Sequence, residues 1–83
     1  RKGAHRDPAH FYSFVDRSGE CWIWTGHRNA AGYGHISVDG RLVLAHRHAW
    51  ELERGPIPPG MFVLHRCDVR ACVRVDDHLY LGT

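Results

Sequence analysis

The sequence predicts a small α+β domain built on antiparallel β-hairpins. Three observations lead there. The chain has 83 residues and is 43% hydrophobic, 11% aromatic and 24% charged, too apolar for a disordered segment and too short for a large core. Asp39-Gly40 lies between two short apolar-polar segments, a strong local hairpin signal. From about Ala45 the apolar spacing changes to that of a helix.

Taken in order, Asp7-Pro8 predicts a helix start, with Asp7 as N-cap and Pro8 at the first helical position. Phe11, Phe14 and Val15 extend an apolar stripe to about Arg17, where Ser18-Gly19 breaks it. Cys21 to Thr25 is aromatic and β-branched and reads as a strand. Gly26 to Gly34 is a polar, glycine-rich turn. His35 to Val38 and Arg41 to Leu44 are the strands around Asp39-Gly40. Ala45, Ala49, Trp50 and Leu52 suit a helix of two to three turns, with Gly55 at its C′ position and Pro56 stopping it. Ile57-Pro58-Pro59-Gly60 is a rigid turn. Met61 to Leu64 forms a strand that ends at His65, and a polar loop over 66–77 leads to a last strand over 78–81. The organisation is one domain: 1–19 a helix and turn, 20–60 a hairpin plus short helix, 61–83 a strand pair with its loop.

A domain this short needs a staple, and the cysteines suggest which kind. There are three, so they cannot all pair within one chain. Cys67 and Cys72 flank a tight loop, and His78 follows six residues later. Thiolates plus an imidazole select Zn²⁺ over hard cations such as Mg²⁺ or Ca²⁺. Cys21 is the remaining cysteine, so a Cys₃His site of Cys21, Cys67, Cys72 and His78 would tie residue 21 to residues 67–78. The alternatives are cysteines buried as small hydrophobes, or a Cys67–Cys72 disulfide in an oxidising compartment.

The net charge of +2 is a weak signal, but ten arginines stand against one lysine. The arginine fork suits phosphate, and high genomic G+C content produces the same bias. No apolar run approaches a membrane span, and no signal-peptide pattern is present. The chain opens on Arg1 and its one methionine is Met61, so a natural start is expected upstream.

The ordered set Cys21-Trp22-Ile23-Trp24-Thr25-Gly26, Gly32-Tyr33-Gly34, Ala45-His46-Arg47, Gly55-Pro56-Ile57-Pro58 and His65-x-Cys67-Asp68-x₃-Cys72-Val73-x₄-His78-Leu79-x-Leu81-Gly82-Thr83 resembles the zinc-containing HNH endonucleases. These phage-type and homing-endonuclease-like proteins belong to the His-Me finger (ββα-metal) superfamily, near its His-Cys box branch. The resemblance spans about residues 20–83. It implies an intracellular, bacterial or phage-encoded DNA endonuclease. His65, at the end of the first strand of the ββα unit, would be the general base that activates water. A second divalent cation, usually Mg²⁺, would stabilise the leaving oxygen, and double-stranded DNA would be the partner. The reading of His65 from its residue type alone leaves a capping or zinc-ligand role open beside that of base.

This chain departs from the family at two places. Family members usually read Cys-Val-Asn-Pro-x-His, whereas Arg74 and Val75 stand here and the step to His78 is one residue longer. The family also continues past Gly-Thr into a helix that carries an asparagine or histidine ligand for the catalytic metal. Thr83 suits the N-cap of that helix, so the last part of the ββα motif is expected beyond it. The candidates for DNA contact are Arg41, His46, Arg47, Arg66, Arg70 and Arg74, read against solvated surface arginines that balance Asp68, Asp76 and Asp77. Trp22 and Trp24 suit either base stacking or core packing. The competing reading is a non-catalytic, zinc-stapled module that binds nucleic acid or protein.

Overall fold

Turn chemistry sets the central hairpin. In the computed structural model, which describes residues 8–83, His35–Val38 (β3) pairs antiparallel with Arg41–Leu44 (β4), from His35 opposite Leu44 to Val38 opposite Arg41. Asp39 and Gly40 have φ values of 52° and 80°, the paired positive angles of a tight primed turn that matches strand twist. No loop separates β4 from the helix Ala45–Arg54 (α2). Leu44 stays extended, and the Ala45 amide donates to the Gly34 carbonyl at 2.8 Å. The expected end of the helix holds: Gly55 adopts φ 89° and its amide donates to the Glu51 carbonyl.

The N-terminal helix is shorter than its apolar stripe suggests. It spans Pro8–Tyr12 (α1), and the expected cap Asp7 lies outside the described residues. Val15–Asp16 (β1) pairs instead with Ile23–Trp24 (β2), which is all that forms of the expected Cys21–Thr25 strand. The β-branched Val15 and the burial of Phe14 and Val15 against the core outweigh a helical spacing only two turns long.

Phe62–His65 (β5) pairs antiparallel with Leu79–Gly82 (β6), with His65 opposite Leu79. The loop between them is not wholly irregular: Val75–His78 (α3) makes one distorted turn. The architecture is thus three two-stranded antiparallel sheets around α2. Their shared core contains Phe11, Trp24, Ile36, Ala45, Ala49, Val63, Val73, Val75 and Leu79. Phe11 stacks on Trp24 with ring centroids 5.0 Å apart. Trp24 is therefore a core residue and not a base-stacking platform. Gly34 lies so close to it that a Cβ there would overlap the indole.

Candidate functional site

Backbone pairing brings the two halves of the chain together. The Trp24 amide donates to the Ala71 carbonyl and the Val73 amide to the Trp22 carbonyl, both at 2.8 Å, and Ile23 bridges to Cys72. These links lay the segment after Cys21 along the Cys67–Cys72 loop. The loop closes through Asp68 at φ 57°, a left-handed position that a short polar side chain tolerates. The extra residue before His78 is absorbed next. Asp76 is extended and Asp77 turns left-handed at φ 65°, so His78 still comes round to the cysteines.

The result is one cluster. Cys21, Cys67, Cys72 and His78 each offer a ligand atom, and these atoms all lie within 4.8 Å of one another. His78 Nδ1 is 3.7 Å from Cys21 Sγ and 3.6 Å from Cys72 Sγ. A tetrahedral zinc, with Zn–S about 2.3 Å and Zn–N about 2.0 Å, separates its ligand atoms by roughly 3.5–3.8 Å, so the group fits zinc. All three cysteines are free thiols, which argues against the Cys67–Cys72 disulfide. Burial, and then the adjoining Cys67 and Cys72, push the Cys21 thiol up to about 12. Burial also raises the Cys72 thiol, against the pull of the Arg74 and Trp22 backbone N–H groups. For Cys21 and Cys72 burial disfavours the thiolate. A bound dication reverses that balance, so the donor set could hold a metal ion by its chemistry as well as by its spacing.

His65 stands apart from this cluster but is fixed by it. Its Nε2 lies 2.9 Å from the carbonyl of Cys72. A carbonyl only accepts, so Nε2 carries the proton and Nδ1 keeps its lone pair. The ring lines an open groove of about 550 Å³, together with Tyr33, His46, Asp68, Arg70 and Tyr80. Burial lowers the His65 pKa below the ordinary histidine value, opposed by the Cys72 hydrogen bond and the Asp68 charge. Burial thus disfavours the charged imidazolium and favours a free lone pair.

The six candidate contact residues separate in space. Arg70 lines the groove, its guanidinium 5.5 Å from the Tyr33 ring, and the Arg66 guanidinium lies 4.6 Å from the ring of Tyr80, which lines it too. Arg70 also donates to the Ala31 carbonyl at 2.7 Å. Arg74 points elsewhere, donating to the Glu20 carbonyl at 2.8 Å and facing the Glu20 carboxylate. Arg41 and Arg47 line a second concavity with Asp39 and Glu51, and Arg47 donates to the Met61 carbonyl. His46 is not on the surface. It is only 5% exposed, its Nε2–H donates to the Val63 carbonyl at 3.0 Å, and its ring centroid is 4.6 Å from that of His65.

Tyr33, like Asp68 and Tyr80, is a groove residue that the sequence did not single out as a site residue. It stacks on His46 at 5.5 Å and leans over His65 at 6.0 Å. The signal was the flanking glycines. Gly32 takes φ 92°, and Gly34 makes room for Trp24, so the pair sets the tyrosine as a roof over the groove.

A histidine anchored at the end of a β-hairpin strand, beside a Cys₃His cluster, is the arrangement expected of an HNH nuclease domain. The HNH endonuclease family profile matches residues 43–83. The chain is also similar to phage proteins. It is 47% identical over 64 residues to "Protein 7.7" of Escherichia phage T7, covering 77% of this chain and 48% of that protein. It is 38% identical over 68 residues to "Protein 2.8" of the same phage, covering 80% and 45% respectively. An "Uncharacterized gene 5.3 protein" of Enterobacteria phage T3 is 33% identical over 63 residues, covering 68% and 62%. The chain thus spans about half the length of the T7 proteins it matches. No solved structure matches it. Among the described residues, no helix is long and apolar enough to cross a membrane.

Proposed function

We propose that this chain is the nuclease domain of a metal-dependent endonuclease that nicks or cleaves double-stranded DNA by phosphodiester hydrolysis. The observation that carries the reading is the fixed tautomer of His65. The Cys72 carbonyl holds the proton on Nε2, which leaves Nδ1 as the acceptor at the groove. A water beside the scissile phosphate gives its proton to that atom. Arg66 and Arg70, held by their tyrosines at the same groove, are the cations placed to meet the phosphate oxygens. Arg41 and Arg47 lie at a separate concavity and suit flanking backbone contacts that carry no sequence information. Arg74 belongs to the structural side, beside Trp22 and Glu20.

Zinc held by Cys21, Cys67, Cys72 and His78 is structural in this reading. It fixes the Cys72 carbonyl on which His65 rests, and takes no part in the hydrolysis. A hydrolytic cation such as Mg²⁺ also belongs to the reading, at the groove beside His65. Asp68 is the carboxylate that lines it within this segment. The second reading is a zinc-stapled nucleic-acid-binding module without cleavage. One experiment separates the two: supercoiled plasmid is incubated with the zinc-loaded full-length protein and Mg²⁺. Nicking is expected, and His65→Ala should lower its rate at least about 10²-fold with zinc content unchanged. Full nicking by the alanine variant removes His65 from the base role. Salt-sensitive DNA retention without nicking by the parent protein supports the binding module.

A further inference from the structure

We propose that His46 is a positioning residue: it straps the strand that carries His65 to helix α2 and so holds the candidate base in one orientation. The inference rests on the reading of His65 as the base. Three observations carry it. First, among the described residues β5 has a strand partner on one edge alone, β6, and the Val63 carbonyl, two residues before His65, is taken by His46 Nε2–H at 3.0 Å. Second, the His46 ring lies against His65, with centroids 4.6 Å apart and planes tilted by 40°, and is itself stacked on Tyr33. His65 is thereby held at its rim by the Cys72 carbonyl, and its face is covered by a ring whose strand contact is the bond to Val63. Third, His46 Nδ1 is buried with no hydrogen-bond partner among the described residues. An apolar ring of similar size would fill this space without stranding a polar atom, so the packing alone does not ask for histidine. What histidine adds is the N–H to Val63.

Two substitutions separate the strap from the filler. His46→Phe keeps a ring and drops the donor. His46→Gln drops the ring but keeps an N–H that reaches for the Val63 carbonyl. Both are made in the full-length zinc-loaded protein, and zinc content and melting are read alongside. In plasmid nicking, His46→Phe should lose kcat by about 10²-fold while KM for DNA stays within about threefold, since a small misplacement of a reacting group costs that much. His46→Gln should stay within about tenfold of the parent kcat. The side-chain ¹⁵N shifts of His65 give a readout that needs no cleavage. The parent and the glutamine variant should show one protonated Nε2 and one bare Nδ1. The phenylalanine variant should show the two nitrogens averaging as the ring is released.

A phenylalanine variant with a fixed His65 tautomer overturns the proposal. So does a glutamine variant in which His65 averages as freely as in the phenylalanine one. If His46→Phe does not fold, the glutamine variant alone decides, by keeping or losing the fixed tautomer. The nitrogen shifts also keep the two ideas apart. Averaging confined to His46→Phe supports the strap even in a protein that never nicks DNA, whereas full nicking by His65→Ala sinks the base reading and leaves the strap standing.

Discussion

The two histidines of the groove differ in what burial does to them, and that difference is measurable. His65 keeps one edge at the groove, whereas His46 is enclosed, and burial, reinforced by the charge of His65, holds its pKa down at about 4. In the unfolded chain His46 titrates near the ordinary value of about 6.5. Between those two values the unfolded state binds the extra proton and the folded state does not. Stability contributed by neutral His46 is therefore complete above about pH 6.5 and is lost as pH falls towards 4, by at most about 3 kcal/mol. Urea unfolding of the zinc-loaded protein at several pH values from about 7 to 4.5 should show this slope, and His46→Gln should show a shallower one. Equal slopes would mean that His46 titrates normally in the fold. The sequence offered His46 as a DNA contact, and nothing in residue type distinguishes a buried imidazole from an exposed one. The burial follows from the helix that starts without a loop at Ala45, which turns position 46 inward against Val63.

At the level of elements, the legible parts were those governed by local chemistry. Asp39-Gly40 fixed the hairpin register, and Gly55-Pro56 fixed the end of α2, because each residue there answers to its own backbone angles. The illegible parts depended on partners far along the chain. Val15 leaves the helical stripe because Trp24 pairs with it. The turn at Asp76-Asp77 exists because His78 must return to cysteines that sequence alone does not place. Gly-Tyr-Gly lies between these cases, since its glycines were visible but their reasons were not. Gly34 needs no special φ and is glycine because the Trp24 indole occupies the space of a Cβ. Gly34→Ala is therefore expected to destabilise the fold by roughly 1–3 kcal/mol, as overpacking does. Gly40→Ala meets no atom within 4 Å and should cost only the left-handed strain at φ 80°, about 1 kcal/mol. Thermal melts of the two variants should rank in that order. The reverse order would show that the loop after Trp24 yields and that the motif is not held by this contact.

For the molecule as a whole, the question is what holds three two-stranded sheets in one body. None of these hairpins is stable alone in water, and the core joining them is small. The Cys₃His cluster adds a second tie between distant parts of the chain. Cys21 lies just ahead of β2, Cys67 and Cys72 sit in the loop after β5, and His78 closes α3 ahead of β6. Bound zinc would therefore cross-link the N-terminal half to the strand pair that carries His65. Structural zinc sites in finger peptides contribute roughly 10–16 kcal/mol at neutral pH, which exceeds the usual stability of a whole small domain. Binding that strong means folding and metal loading are one equilibrium. Metal analysis should find one zinc per chain, with a chelator removing it and cooperative tertiary structure together. Reductant alone should change nothing, because no cysteine is paired. Cys21→Ser is the sharper test, since it leaves Cys67, Cys72 and His78 close together as a weak local site. It should release β1 and β2 from the zinc loop while the β5–β6 pairing stays nearest to intact, visible as hydrogen exchange rising first at Trp24 and Val73. A chain that keeps its melting temperature after complete loss of zinc would show that the hydrophobic core suffices, and would reduce the cluster to a surface feature of an otherwise self-supporting fold.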